Sequence, residues 1–146
     1  MDMNDPHNLQ RFVDAQRSIY ENVRRELDSG SKRSHWMWFI FPQFKGLGRS
    51  DMAQQYAISS REEAAAYLEH PILGSRLREC SQLMIAIDGC SIEDIFGYPD
   101  YLKFHSSMTL FAQVAADNEI FKDCLQKYFN GEPDPATLAR LSSGPM

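Results

Sequence analysis

Cysteine is scarce in this chain. Cys80, Cys90 and Cys124 cannot all pair with one another, and none sits in a Cys-x-x-Cys unit. A disulfide framework is therefore excluded, and reduced thiols in a reducing compartment are expected. Cys80 and Cys124 fall on apolar helical faces as small buried hydrophobes, whereas Cys90 lies in a turn and is the most reachable of the three. His35, His70 and His105 stand at no metal-ligand spacing, so neither a metal ion nor a cofactor is expected. No run approaches the roughly 18 apolar residues of a membrane-spanning helix, and the polar stretch from Met1 to Asn8 has no signal-peptide architecture. A cytoplasmic protein with no membrane association is expected. The formal net charge of -5 argues against general affinity for nucleic-acid phosphates, so no nucleic-acid partner is expected either. Internal repeats, low-complexity tracts and useful β alternation are lacking too; Phe39-Ile40-Phe41 and Ile85-Ala86-Ile87 are too short to define a sheet.

What remains is a chain of 146 residues, 43% hydrophobic, enough for one domain with a sizeable core. Helical signals punctuate it throughout. Asp5 can cap and Pro6 can open a long amphipathic helix carrying Leu9, Phe12, Val13, Val23 and Leu27, which ends at Ser29-Gly30. Arg11, Arg17, Glu21, Arg24, Arg25 and Glu26 form its solvated face. Ser50 can cap a short helix, and Ser60 with Glu63 makes a capping-box pattern for a helix ending at His70-Pro71. Pro71 opens the next, which runs through Leu73, Leu77, Cys80, Met84 and Ile87 to Asp88-Gly89. Ser91 with Asp94 opens a short helix that stops at Gly97. Asp117 caps a later helix that ends at Asn130-Gly131. Residues 132–146 read as a connector and a short terminal helix, begun by Asp134 and Pro135 and ending in a frayed Ser-Ser-Gly-Pro tail. The fold class is mainly α, a single-domain multi-helix bundle over residues 1–146, with α+β as the alternative if the aromatic segment is a strand.

That aromatic segment, Ser34 to Gln43, holds both tryptophans. A helix started at Ser34 puts His35, Trp38 and Phe39 on one side and Trp36 and Ile40 on another. It is apolar nearly all round, so it is expected to be buried on most faces until Pro42 stops it. The polar, cationic and glycine-rich stretch from Gln43 to Ser50 follows, the kind of loop on which binding groups are placed. A second unusual segment, Tyr98 to Phe111, sets Asp100, Lys103, His105, Ser106, Ser107 and Thr109 among Phe104, Met108, Leu110 and Phe111, so several polar groups must find partners close to the core.

Several motifs resemble those of one bacterial family. They are His35-Trp36-Met37-Trp38-Phe39-Ile40-Phe41-Pro42-Gln43, Gly46-Leu47-Gly48-x-Ser50, His70-Pro71-x-Leu73-Gly74-x-Arg76-Leu77, Ile95-Phe96-Gly97-x-Pro99-Asp100-x-x-Lys103 and Ser106-Ser107-Met108-Thr109-Leu110-Phe111. The family consists of small uncharacterised proteins with a domain of unknown function, sometimes labelled "calpastatin". The resemblance runs from about Leu9 to Phe129 and implies a small, mainly helical single domain with no established activity. The protease inhibition implied by the label belongs to long disordered chains, unlike this aromatic one.

Three functions fit the residues. The first is a small-molecule cleft for a nucleotide or sugar-phosphate-like ligand, with Trp36 or Trp38 as an aromatic floor and Gln43, Lys45, Arg49, Arg76 and Ser107 as binding groups. In that cleft His35 or Asp100 could act as acid or base, with Lys103 beside them. The second is a protein–protein interaction module built on exposed tryptophans near Arg49. The third is an N-glycosidase acting on ADP-ribose-like substrates, through a faint similarity to that family in a Pro-x-Leu-Gly-x-Arg-like turn and a later Lys-Phe, without its acidic catalytic signature. No nucleophilic triad, metal motif or phosphate-binding glycine loop is recognisable, and Gly46-Leu47-Gly48 alone does not make one.

Overall fold

Glycine, proline and hydroxyl caps cut the chain into ten helices among the described residues, 5–142, of the computed structural model. In order they are α1 (Gln10–Arg17), α2 (Tyr20–Ser29), α3 (Met37–Ile40), α4 (Asp51–Gln55), α5 (Arg61–Glu69), α6 (Leu73–Ala86), α7 (Ile92–Phe96), α8 (Asp100–Val114), α9 (Glu119–Phe129) and α10 (Pro135–Ser142). The only β pairing among these residues is an isolated parallel bridge between Phe44 and Ile58. The mainly α expectation therefore holds, and the aromatic segment is not a strand. The expected Ser-Ser-Gly-Pro tail falls largely in residues 143–146, and the start of the polar amino terminus in residues 1–4, outside the described residues.

Most caps form where the sequence puts them. The Ser50 hydroxyl accepts the Ala53 amide, Ser60 accepts Glu63, and Ser91 with Asp94 makes a reciprocal capping box. The Asp134 carboxylate accepts both the amide and the hydroxyl of Thr137 at the head of α10. Asn130 ends α9 in the left-handed conformation.

Several boundaries differ from the sequence reading, among them the start of α6, which is Leu73 rather than Pro71. The long first helix is two helices, because the Ile19 amide turns back to the Gln16 carbonyl, only three residues earlier. Its start is Gln10 rather than Pro6, since the Asp5 carboxylate reaches past Pro6 to the amides of Leu9 and Gln10. The aromatic helix starts at Met37 and spans one turn, because Ser34 spends its hydroxyl on other partners instead of capping it. In α9 Asn118 holds the N-cap position rather than Asp117, and its side-chain amide donates to the Ala112 carbonyl, tying the loop to the end of α8.

The solvated face predicted for the first helix also needs correction. Arg11 turns inward to the carbonyls of Gln55 and Ala57 and to the Glu63 carboxylate at 2.9 Å. Glu26 is buried as well, because it sits beside Val23 and Leu27 on the inner face of α2.

One core receives side chains from nearly every element. Phe12, Val23, Leu27, Trp36, Phe41, Tyr67, Leu77, Phe104, Phe111, Phe121 and Leu141 all belong to it. The long α6 and α8 form its spine, with α9 against both, α5 packed on them and α10 against α8. Rings meet edge to face across this centre, Phe41 on Phe104 at 4.9 Å and Phe12 on Tyr67 at 5.1 Å. Each such ring removes roughly 150–250 Å² from water, a gross gain of about 4–6 kcal/mol before entropy is counted. No described helix is long and apolar enough to cross a membrane.

The approach of α5 to α6 depends on Gly74. A Cβ there would stand 2.0 Å from the Leu68 carbonyl oxygen and 2.8 Å from its carbon, both backbone atoms that cannot swing aside. Gly74→Ala is expected to destabilise the fold by about 3 kcal/mol or more, above the usual range for overpacking by a methyl. Urea unfolding measures this, and an unchanged midpoint would show that the two helices separate at no cost.

Candidate functional site

The site is built from three pieces of chain: the link 31–36 after α2, the single turn α3, and the passage from α7 through Gly97-Tyr98-Pro99 into α8. They enclose a cleft of about 410 Å³ lined by Lys32 to His35, Met37, Trp38, Phe96, Tyr98, Pro99, Asp100 and Lys103.

The Glu26 carboxylate sets the link in place. One oxygen accepts the amides of Arg33 (2.7 Å) and Ser34 (3.1 Å) and the indole N–H of Trp36 (2.9 Å). The other accepts the Ser34 hydroxyl (2.6 Å) and the Asn22 side-chain amide (2.7 Å). Burial raises the Glu26 pKa, but the Ser34 hydroxyl, the Arg33 amide, the Trp36 indole and the Ser34 amide together outweigh it and bring it down to about 2. The Lys32 amide adds a bond to the Ile95 carbonyl at 2.9 Å, joining the link to the end of α7.

Asp100 then fastens the two walls. Its carboxylate lies 2.7 Å from Lys32 Nζ across the cleft and 3.1 Å from Lys103 Nζ one turn along α8. Burial raises the Asp100 pKa; hydrogen bonds and charge from Lys32 and Lys103 more than offset this and hold the carboxyl below its ordinary value. Both ammoniums also rest on indoles, Lys103 at 4.7 Å from the Trp38 ring centre and Lys32 at 5.2 Å from that of Trp36.

The two tryptophans have different places. Trp36 is 1% exposed and edge-on to Phe96, so it anchors the wall from behind. Trp38 lines the cleft, and its indole N–H is buried without an acceptor among the described residues. Ser107 lies one turn beyond Lys103 on α8, fully buried, and its hydroxyl also lacks a partner.

Of the residues singled out from the sequence, His35, Trp38, Asp100 and Lys103 come together in this cleft, with Trp36 behind it and Ser107 deeper along the same helix. Gln43, Lys45 and Arg49 do not line it. The Gln43 carbonyl and the Lys45 amide both bond Ile58, and Arg49 and Lys45 are exposed. The Gly46 carbonyl accepts from Arg140 of α10 at 3.2 Å, which draws this loop toward the carboxyl-terminal helix. Arg76 is elsewhere, donating to Gln16 at 3.2 Å and lying over the Tyr20 ring at 4.4 Å. Sequence reasoning missed Glu26, Lys32, Arg33 and Tyr98 as parts of the site. The Lys32-Arg33 pair directly before the aromatic run was the available signal.

A second cleft of about 400 Å³ lies near the amino terminus, between Asp5, His7, Glu69 and His70. Among the described residues its lining holds no Phe, Tyr, Trp, Lys or Arg, and His70 Nδ1 is taken up by the amides of Ile72 and Leu73 at the start of α6.

The family model described as "Protein of unknown function (DUF1810)" matches residues 6–141. The chain belongs to the DUF1810 family. The conserved hypothetical protein Rv1873 from Mycobacterium tuberculosis, whose crystal structure is known, is similar to it, with 54% sequence identity and a TM-score of 0.93 over 94% of this chain and 99% of the other. The multi-helix architecture of this DUF1810 protein is thus found in an experimental structure. No curated protein matches the chain.

The Glu26 clamp generates a pH prediction. With a folded pKa of about 2 against an ordinary value of 4.5, its contribution is fully present above pH 4.5 and is lost as pH falls through 2. A shift of that size corresponds to about 3 kcal/mol. Glu26→Gln is expected to lower the unfolding free energy by about that amount at pH 7, with the gap to the parent closing as pH falls from 4.5 toward 2. Urea titrations at several pH values test this; a gap independent of pH would remove Glu26 from the role.

Proposed function

We propose that this protein binds a small anionic ligand of nucleotide or sugar-phosphate type in the cleft between the 31–36 link, α3 and the start of α8. The observation that carries the reading is the lining itself. Lys32, Arg33 and Lys103 converge on one aromatic-walled cleft against the lining carboxylate of Asp100 and the Glu26 carboxylate behind the link, a local excess of one positive charge in a chain whose net charge is -5. Lys103, the more exposed of the two lysines, spends one donor on Asp100 and keeps others for a ligand. An apolar recess with a few convergent polar groups is the usual form of a small-molecule site.

The other two readings have less support. Asp100, held ionised by two lysines, suits positioning of those lysines, whereas a glycosidase acid needs a carboxyl whose pKa is raised. An interaction surface built on exposed tryptophans lacks its anchors, since Trp36 is buried and Trp38 lines a cleft.

Tryptophan emission and thermal shift of the purified chain, titrated with nucleotides, ribose 5-phosphate and inorganic phosphate, test the proposal. Lys103→Ala is expected to weaken phosphate-bearing ligands about tenfold or more, because it removes a charge-assisted bond worth roughly 1.5–3 kcal/mol. Lys45→Ala and Arg49→Ala, outside the cleft, are expected to leave binding unchanged. The reading falls if no phosphorylated compound raises the melting temperature or shifts the emission.

A further inference from the structure

We infer that the ligand is a nucleoside monophosphate and that Tyr98 supplies the face on which its base stacks. The inference rests on the small-molecule reading above and narrows it to one chemical class. Three features of the cleft converge on that class.

The first is charge. Even with the ionised Glu26 carboxylate behind the link and Asp100 in the lining, Lys32, Arg33 and Lys103 leave the cleft positive, and a guanidinium beside an ammonium suits the oxygens of a phosphate group. The second is size. About 410 Å³ lies near the lower end of the roughly 300–1,000 Å³ typical of ligand sites, room for one base, one sugar and one phosphate rather than a dinucleotide.

The third is which ring is free. Trp38 has the Lys103 ammonium over its face and the Phe39 ring tilted against it at 6.1 Å. Phe96 is buried and packs on Trp36, Phe41 and Phe104. Tyr98 is 78% exposed, and its one ring contact is with Tyr101 at 6.0 Å and an interplanar angle of 60°. Its backbone is fixed on both sides, as the Gly97 amide bonds the Glu93 carbonyl and the Tyr101 amide bonds the Gly97 carbonyl. A large aromatic held out at the mouth of a cationic cleft on an anchored turn is a stacking platform, and aromatic stacking accepts any base. Lys103 and Arg33, which line the same cleft, then receive the phosphate.

Calorimetric titration of the intact chain with AMP, GMP, CMP and UMP, and with ribose 5-phosphate as the base-free control, decides this. The monophosphates are expected to bind about tenfold or more tighter than ribose 5-phosphate. Tyr98→Ala, at an exposed position and checked for an unchanged melting temperature, is expected to erase that gap and leave ribose 5-phosphate affinity as it was; Tyr98→Trp is expected to keep it. Equal affinity for ribose 5-phosphate and the nucleotides, or a gap that survives Tyr98→Ala, overturns the inference while leaving the phosphate cleft intact. Failure of every phosphorylated compound to bind overturns both.

Discussion

The arrangement of this protein's cleft depends on one buried carboxylate. Glu26 accepts five hydrogen bonds, four of them from Arg33, Ser34 and Trp36 on a link with almost no regular structure of its own. A buried charge without such partners is costly, and a loop without such an acceptor leaves its amides unsatisfied. Each solves the other's problem. The outcome is a rigid stretch of chain between α2 and α3 that delivers Lys32, Arg33 and His35 to one side and buries Trp36 on the other.

Asp100 repeats the logic at a more exposed place. Lys32 comes from the link fixed by Glu26, and Lys103 comes from the first turn of α8, so the carboxylate between them joins two elements distant in sequence. The pair with Lys32 is the more enclosed, since that side chain is 7% exposed against 20% for Lys103. Screening by water therefore weakens the Lys103 contact more. Lys103 is accordingly the less tightly held cation, and Lys32 the one that keeps the walls together.

Most of the helical architecture was legible because its signals are local. Ser50, Ser60, Ser91 with Asp94, Asp134 and Asn130 act on amides and carbonyls within a few residues of themselves, so spacing alone reveals them. The two segments rich in aromatic and polar residues were also recognisable, and residues of both line one cleft. Glu26 was not, since beside Arg24 and Arg25 it reads as another surface charge, and its partners arrive only when the chain folds back seven to ten residues later. The break between α1 and α2 was hidden for a related reason: apolar residues on both sides keep one helical period, and only the turn from Ile19 back to Gln16 interrupts it. Gln43, Lys45 and Arg49 follow the aromatic segment directly, yet bonds to Ile58 and Arg140 carry their loop away from the cleft.

The tryptophans show how far two neighbours of one kind can diverge. Trp36 gives its N–H to Glu26 and its ring to Phe96 and Phe41, which satisfies both the polar and the apolar parts of the side chain. Trp38, two residues on, has a cation over its face and a buried N–H with no acceptor among the described residues. Leaving such a donor unmade costs roughly 1–3 kcal/mol. Among the described residues the fold satisfies Trp36 fully and leaves Trp38 incomplete, with the Ser107 hydroxyl also without a partner further along the helix that carries Lys103. Unmet polar groups in an otherwise well-packed core are tolerated where a site is built. That imbalance distinguishes the second indole, which lines the cleft, from the first, which is core.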